Sequence, residues 1–211
     1  MTTNLTNIKY GLALVMLGLL FGIGLGITFG VNEDFFKEYV AQGVAAHPEL
    51  HDAQSQAKIW RYAQRAHFHA TGIATFSIGL LLLVVASGLK ETFKKIAAVL
   101  IGLGCFYPFA WLSMFLLAPS IGTDAAHSHP TTELFTYIGT GGLLLGLAVL
   151  LANLFLGLFS ESNDRYQRRQ RGQQKSDASS SPRFLPPVMA SDQRLVKRDR
   201  DMSSSVTGIG T

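Results

Sequence analysis

Charged residues are scarce in this chain of 211 residues. Asp, Glu, Lys and Arg make up 15% of it, whereas soluble domains contain about 25%. The mean hydropathy is positive, so the composition excludes an ordinary soluble domain. Residues 1–160 hold eight basic and eight acidic side chains, and the formal net charge of +4 therefore comes entirely from residues 161–211.

The chain also lacks the residues on which several classes of chemistry depend. Its single cysteine, Cys105, excludes an intramolecular disulfide and a cysteine-based zinc or iron–sulfur site. No phosphate-binding loop, nucleophile–base arrangement or pair of carboxylates is present, so hydrolysis and phosphoryl transfer have no support. The basic residues of the C-terminal part are not interleaved with aromatics, which argues against nucleic-acid binding.

What the sequence does contain is four apolar stretches long enough to cross a bilayer. A hydrocarbon core of about 30 Å requires roughly 20 apolar residues in a helix. Residues 10–30, 66–89, 96–118 and 134–159 meet this length without one Lys, Arg, Asp or Glu. The alternating pattern of a membrane β-barrel is absent. We therefore predict an all-α integral membrane four-helix bundle over residues 1–160, its first span being uncleaved rather than a signal peptide.

The positions of Lys and Arg predict the orientation. Lys9 precedes the first span, three lysines lie between spans two and three, and five basic residues follow span four in 165–175, whereas 119–133 has none. This bias predicts that both termini lie in the cytoplasm. The membrane is predicted to be the cell inner (plasma) membrane. Four basic residues in the first link oppose it. Residues 161–211 are rich in Ser, Gln, Arg and Asp, which predicts a disordered basic cytoplasmic tail.

The link between spans one and two has a helical pattern of its own. Phe36, Tyr39, Val40 and Val44 form one apolar stripe, as in a helix that lies at a membrane surface. Pro48 suits the first position of a further helix. Residues 49–65 contain neither glycine nor proline, so this helix is expected to continue into span two.

Glycine is abundant and regularly spaced. Gly18, Gly22, Gly26 and Gly30 recur at four-residue intervals along span one. In lipid, such small residues let helix backbones approach closely. The groove they form predicts either packing within the bundle or docking of a helix from another membrane subunit. In span three, Pro108 predicts a kink.

The six histidines are the most informative residues. They are His47, His51, His67, His69, His127 and His129, and the predicted orientation places all six on the outer side. Neutral imidazole is the commonest protein ligand of metals and suits copper, zinc and haem iron. The pairs His67/His69 and His127/His129 precede spans two and four, so they are expected to meet at one membrane face.

Neighbouring groups complete the predicted site. Arg61 and Arg65 are placed to neutralise a haem propionate, and Glu133 and Asp124 are further candidate metal ligands. Two helical residues at i and i+2 point about 200° apart, so only one of His67 and His69 is expected to face a given pocket. The alternative is that these histidines only form hydrogen bonds with neighbours or water at the interface.

The segment Arg65-Ala66-His67-Phe68-His69-Ala70-Thr71-Gly72 resembles the histidine-bearing helix starts of haem–copper oxidase subunits and related haem-binding membrane proteins. In that group a histidine there ligates a low-spin b-type haem, and the resemblance implies the same here. The layout is also similar to small four-span bacterial membrane proteins with a His-x-His before span two. The chain lacks the many spans and copper-site histidines of a catalytic oxidase subunit, so oxygen reduction is not expected.

Three functions follow from these patterns. The first is an accessory protein that binds haem b, copper or another divalent metal through its outer-face histidines, in electron transfer with a membrane redox complex. The second is a purely structural or assembly subunit of a larger complex, without a cofactor. The third is a small transporter. The spans lack the buried charges and repeated halves that are usual in such proteins, which counts against this function.

Overall fold

The computed structural model describes residues 5–160, 169–171 and 173. Between residues 5 and 160 the chain forms seven α-helices and no strand. Short 3₁₀ turns cover Leu5–Asn7, Pro48–Leu50 and Gly104–Phe106. The helices are α1 (Lys9–Val31), α2 (Glu33–Ala46), α3 (Ser55–Ala86), α4 (Glu91–Leu103), α5 (Tyr107–Ile121), α6 (Thr123–His127) and α7 (Pro130–Leu156).

Four helical segments are long and apolar enough to cross a membrane, which confirms the predicted all-α integral membrane bundle. They are Lys9–Val31, Ser55–Ala86, Glu91–Ile121 and Pro130–Leu156. The second begins at Ser55 rather than at residue 66, and the fourth at Pro130 rather than at 134. Both helices thus extend beyond their apolar cores, because polar residues continue the helix once it has been nucleated.

The third span, formed by α4 and α5, lies at the centre of the bundle. It packs against α1, α3 and α7, and α1 also packs along α3. Helices α3 and α7 pack chiefly on this central span rather than on each other. Space between α3 and α7 is therefore bounded by the surface of α5.

Glycines of α1 bring its backbone against α3 and the central span, and we call this contact the glycine seam (Gly11, Gly18, Gly22 and Gly26). A Cβ added at Gly22 would lie 2.8 Å from Thr71 N, and one at Gly18 would lie 2.6 Å from Cys105 Sγ. At Gly26 the neighbour is the ring of His67, whereas Gly30 has open space around it. The predicted groove is thus filled largely by this chain's own residues, as the intramolecular alternative expects.

The central span is interrupted where the sequence predicts its kink. The turn Gly104–Phe106 separates α4 from α5, and Pro108 occupies the first turn of α5. Proline has no N–H to donate to the carbonyl of Gly104, and its ring collides with that carbonyl in a continuous α-helix. The break lets α5 begin a new helix there. Gly139 of α7 contacts the backbone of Tyr107 directly at this break.

One end of the bundle holds α2, α6 and the first turns of α3 and α7, and we call it the histidine end. Helix α2 packs on α3 and α5 and buries Val40, with Phe36 and Val44 against the same cluster. Its predicted apolar stripe therefore faces the protein. Phe115 is completely buried at the centre of this cluster and contacts the rings of Phe29, Phe36, Tyr39 and Trp60.

Residues 49–65 do not form one continuous helix, in contrast to the prediction. Pro48 begins a 3₁₀ turn rather than an α-helix, and α3 begins only at Ser55. The physical reason is a local turn before α3: the Asp52 carboxylate accepts hydrogen bonds from the backbone N–H of Gln54 and the hydroxyl of Ser55, both at 2.9 Å. Asp side chains favour such turns over a continuing helix.

At the opposite end, the link between spans two and three pairs with the chain after α7. Leu89 and Ser160 form an isolated antiparallel bridge, and the rings of Phe93 and Phe159 stack with their centroids 4.3 Å apart. The predicted disordered tail lies outside the described residues, apart from 169–171 and 173, which are helical.

Candidate functional site

A cavity of about 210 Å³ lies at the histidine end, between α5, α6 and α7. One face of α5 forms its floor, because residues spaced i, i+3, i+4 and i+7 lie on the same side of a helix. We call it the histidine-end cavity. Its lining residues are Tyr107, Ala110, Trp111, Met114, His127, Ser128, Thr132, Glu133, Thr136 and Tyr137.

Three hydroxyl groups of the lining donate to backbone carbonyls nearby. Thr132 donates to the Ala126 carbonyl at 2.9 Å, and this bond ties α7 to α6. Thr136 and Ser128 donate within their own segments, to Thr132 and Asp124. These hydroxyl protons are therefore used by the fold, and only their oxygens remain as acceptors toward the cavity.

Five other polar groups of the lining have no hydrogen-bond or ion-pair partner within the described part of the chain. They are the His127 ring, the Glu133 carboxylate, the hydroxyls of Tyr107 and Tyr137, and the indole N–H of Trp111. His127, Glu133 and Tyr137 are exposed, so water or lipid headgroups can reach them, whereas the Trp111 N–H is buried. Of these five, the Trp111 group therefore carries the cost of an unmet hydrogen bond.

Helix α3 reaches the same aromatic floor from the other side. The guanidinium of Arg65 lies 4.7 Å from the centroid of the Trp111 ring, and the His69 ring stacks on that indole at 5.6 Å. His69 also meets Tyr107 edge-on at 5.3 Å. His69 and His127, one from each predicted pair, thus share Tyr107 and Trp111 as neighbours.

The two histidines of span two point to different helices, as their spacing predicts. His67 Nδ1 lies 2.8 Å from the Gly22 carbonyl, so His67 belongs to the glycine seam. His69 Nδ1 lies 2.8 Å from the Arg65 carbonyl of its own helix. Because a carbonyl only accepts, each Nδ1 carries the proton, and a neutral ring then keeps the lone pair on Nε2. That tautomer is common among metal-binding histidines.

The remaining predicted residues lie outside the cavity. His129 caps α7, where its Nδ1 accepts from the backbone N–H of Thr131 at 3.3 Å. Arg61 is exposed and donates to the Ala57 carbonyl of its own helix. Asp124 is exposed on α6 and does not line the cavity. Of the predicted residues, His127 and Glu133 therefore line the cavity, and His69 and Arg65 contact Trp111 of its floor from α3 without lining it.

The first link contributes structural contacts at this end. His51 Nε2 lies 3.1 Å from the Pro119 carbonyl, and the hydroxyl of Tyr39 donates to the Leu116 carbonyl at 2.7 Å. Pro119 is within the last turn of α5, where carbonyls have no partner in their own helix. Burial raises the pKa of Tyr39 above its usual value, which keeps this donor protonated. His47 lies 3.8 Å from Glu49 and is partly exposed.

The charges at the start of α3 are paired with one another. Lys58 Nζ lies 2.9 Å from the Asp52 carboxylate. The hydrogen bond from Lys58, followed by those from Ser55 and from the Gln54 backbone, lowers the pKa of Asp52 to about 2. Asp52 therefore stays ionised under ordinary conditions and stabilises the helix start as an anion.

The predicted cofactors differ in how well they fit this geometry. No group of three or more His, Cys, Asp and Glu side chains able to hold a metal occurs in the ranges that the structure covers. The cavity supplies one imidazole and one carboxylate. Its volume is also below the roughly 300–1,000 Å³ of pockets for larger organic ligands. A ligand as large as haem b would therefore extend beyond this cavity.

The sequence analysis missed the residues that form the floor. Tyr107 and Trp111 lie inside an apolar span and were not among the predicted site residues. Their spacing with Ala110 and Met114 was a usable signal, since it places two polar-tipped aromatics and a small residue on one helix face. That face starts where Pro108 allows a new helix to begin.

The fold and the cavity together define a helical membrane protein with a polar, aromatic site at one end of its bundle. No protein-family model matches the chain, and no curated protein or solved structure matches it either. The site must therefore be interpreted from its own chemistry.

Proposed function

We propose that this chain is an integral membrane accessory protein that binds a ligand in the histidine-end cavity and works within a larger membrane complex. The single observation that carries this proposal is the cavity itself, which gathers an imidazole, a carboxylate and two phenols around the buried indole N–H of Trp111, which has no hydrogen-bond partner. Ionisable groups that converge at a bilayer edge are a functional hypothesis by default.

The proposal includes an orientation. Lys90, Lys94 and Lys95 lie at the end opposite the cavity, and the positive-inside rule assigns that end to the cytoplasm. The cavity then faces the outer side of the plasma membrane, and both termini lie inside. A cysteine-accessibility assay on intact cells, with reporters at Ser120 and at Glu91, measures this directly.

The ligand is expected to be smaller than haem b, because of the cavity's volume. A metal ion is one candidate, and His127 with Glu133 would then supply two of its ligands through nitrogen and oxygen. A small organic molecule is the other, with the aromatic floor supplying most of its contacts. Haem b is not part of this proposal.

The test is to look for a bound species and to block its site. We propose native mass spectrometry, elemental analysis and an absorption spectrum on protein taken gently from native membranes. Ser128→Trp places a large ring among the cavity's lining residues, and Ser128 is exposed enough to tolerate the change. Ser120→Trp is the matched control, since Ser120 is also exposed but lies outside the lining.

The expected result is a stoichiometric species in the wild type and in Ser120→Trp that Ser128→Trp loses. A species that all three proteins retain binds elsewhere and contradicts the proposal. A Soret absorbance lost on His67→Ala but kept in Ser128→Trp would place haem at the glycine seam instead. If no species is bound, either after extraction from membranes or after exposure to cell extract, the result would favour a purely structural role.

A further inference from the structure

The rings that line the histidine-end cavity are the first indication of what it binds. Tyr107 and Trp111 rise from its floor, and Tyr137 lies on its α7 wall. Aromatic faces carry a negative quadrupole and attract cations placed within about 6 Å of the ring centre. The Trp111 ring already makes this kind of contact with the guanidinium of Arg65, 4.7 Å from its centroid, so the rings of Tyr107 and Tyr137 remain for a ligand.

The charge of the cavity is the second indication. Glu133 is the acidic residue of the lining, and the lining as described includes no Lys or Arg. The guanidinium of Arg65 contacts Trp111 from α3 but does not line the cavity. Neither is there a cation within ion-pair distance of Glu133 among the described residues. An anionic ligand would meet this carboxylate unfavourably, whereas a cationic ligand would gain a counter-ion.

The kind of cation follows from the rest of the lining. A metal ion prefers several nitrogen or oxygen ligands around it, and the cavity offers chiefly His127 and Glu133. An organic ammonium instead gains from aromatic and apolar surface around its methyl or methylene groups. Ala110 and Met114 supply such surface beside the rings.

Resting on the proposed function of this cavity, we propose that it binds a small organic ammonium group, held by the rings of Tyr107 and Tyr137 with the Glu133 carboxylate as counter-ion. The same chemistry is found in a free quaternary amine and in the headgroup of a choline phospholipid. The position of the cavity, at the end of the membrane-spanning helices, makes both sources accessible.

The first arm of the test uses a free cation. Tetramethylammonium chloride is titrated into the full-length protein in a maltoside detergent that contains no ammonium group, and binding is followed by calorimetry. Glu133→Gln keeps the size of the side chain and removes its charge, and Tyr137→Leu removes one ring. Both residues are exposed, so the variants are expected to fold, which thermal unfolding of each protein verifies.

Matched controls lie at the other end of the bundle. Glu91 is in the first turn of α4, as Glu133 is in that of α7. Tyr10 is 67% exposed and Tyr137 is 70% exposed. We expect Glu133→Gln to weaken binding about tenfold and Tyr137→Leu about threefold, whereas Glu91→Gln and Tyr10→Leu leave it unchanged.

The second arm identifies the source. The protein is placed in nanodiscs of phosphatidylcholine or of phosphatidylglycerol, and the lipids it retains are counted by native mass spectrometry. Retention of one phosphatidylcholine that Glu133→Gln loses assigns the site to a lipid headgroup. Binding of tetramethylammonium without such retention assigns it to a free amine.

The proposal is overturned if neither probe binds, or if both bind with equal strength to Glu133→Gln and the wild type. These failures are distinct from failure of the proposed function. A metal ion or other species that Ser128→Trp removes would keep the cavity as a ligand site while excluding an ammonium. If no ammonium probe binds and Ser128→Trp removes no bound species, both the inference and the proposed function are wrong.

Discussion

The glycine seam and the histidine end solve the same packing problem in opposite ways. Along the seam, a Cβ added at Gly22 would collide with the backbone of Thr71 and the side chain of Ala70. At the histidine end, the rings around Phe115 hold helices α1, α2, α3 and α5 apart by their own width. The seam is therefore closed at Gly22, and beside Gly18 it borders an apolar cavity of about 210 Å³. The aromatic floor of α5 borders a cavity of about the same volume whose lining is more polar.

This difference explains where a polar ligand could bind in so small a bundle. Backbones in direct contact gain dispersion energy but exclude a third component at that point. The space beside Gly18 is lined by apolar groups, whereas the histidine-end cavity offers an imidazole, a carboxylate and two phenols. His67 and His69 show the boundary: His67 is seated on α1 in the seam, and His69 is stacked on Trp111 beside the cavity.

The largest expected effect comes from removing the ring at the centre of the histidine end. Phe115 is completely buried, and Phe115→Ala should destabilise the protein by about 3–5 kcal/mol, because a cavity replaces its contacts. Unfolding by sodium dodecyl sulfate in mixed micelles measures this. Phe155→Ala is the control, since Phe155 is 82% exposed. Equal stability of the two variants would show that α2 does not depend on this ring.

A smaller loss is expected from overpacking the seam. Gly22→Leu forces α1 away from Thr71, which lies 2.8 Å from the added Cβ, and should cost about 1–3 kcal/mol. The control is Gly24→Leu, where nothing lies within 4 Å of the added atom. The same micelle titration compares them. A Gly22→Leu protein as stable as Gly24→Leu would mean that the seam is not closed in the folded protein.

The smallest effect concerns the Asp52 turn that precedes α3 at the histidine end. The pKa of Asp52 is about 2, below the usual value of about 3.9, so its stabilising contribution is present above about pH 4 and is lost as the pH falls through 2. Amide exchange of Gln54 and Ser55 should accelerate over that window. Lys58→Met should move the loss to higher pH, and Lys95→Met should not. An unchanged midpoint in Lys58→Met would show that Lys58 does not hold this carboxylate.

Much of the fold could be predicted because it depends on local composition. The four spans follow from apolar length, the break before α5 from Pro108, and the stripe of α2 from its 3.6-residue period. The start of α3 could not be predicted in the same way. It depends on hydrogen bonds that Ser55 and Lys58 donate to the Asp52 side chain, and composition does not reveal these bonds.

The candidate site was predictable only in part. The spacing of His67 and His69 correctly indicated that they face different neighbours, but not that His67 would meet Gly22. His129 looked equivalent to His127, yet its ring accepts from the α7 backbone. Trp111 and Tyr107 gave a signal only on inspection of the faces of α5, since nothing in the sequence says which face of a span meets lipid.

The amino-acid sequence alone determines that this chain is a helical membrane protein, because apolar length and the absence of charge are properties of each segment by itself. Tertiary structure alone decides which histidine meets which helix, and which polar groups are left without partners around one cavity. These contacts form between α3, α5 and α7, whose residues are far apart in the chain. They depend on the distances between the helices, which the glycines and aromatic rings set.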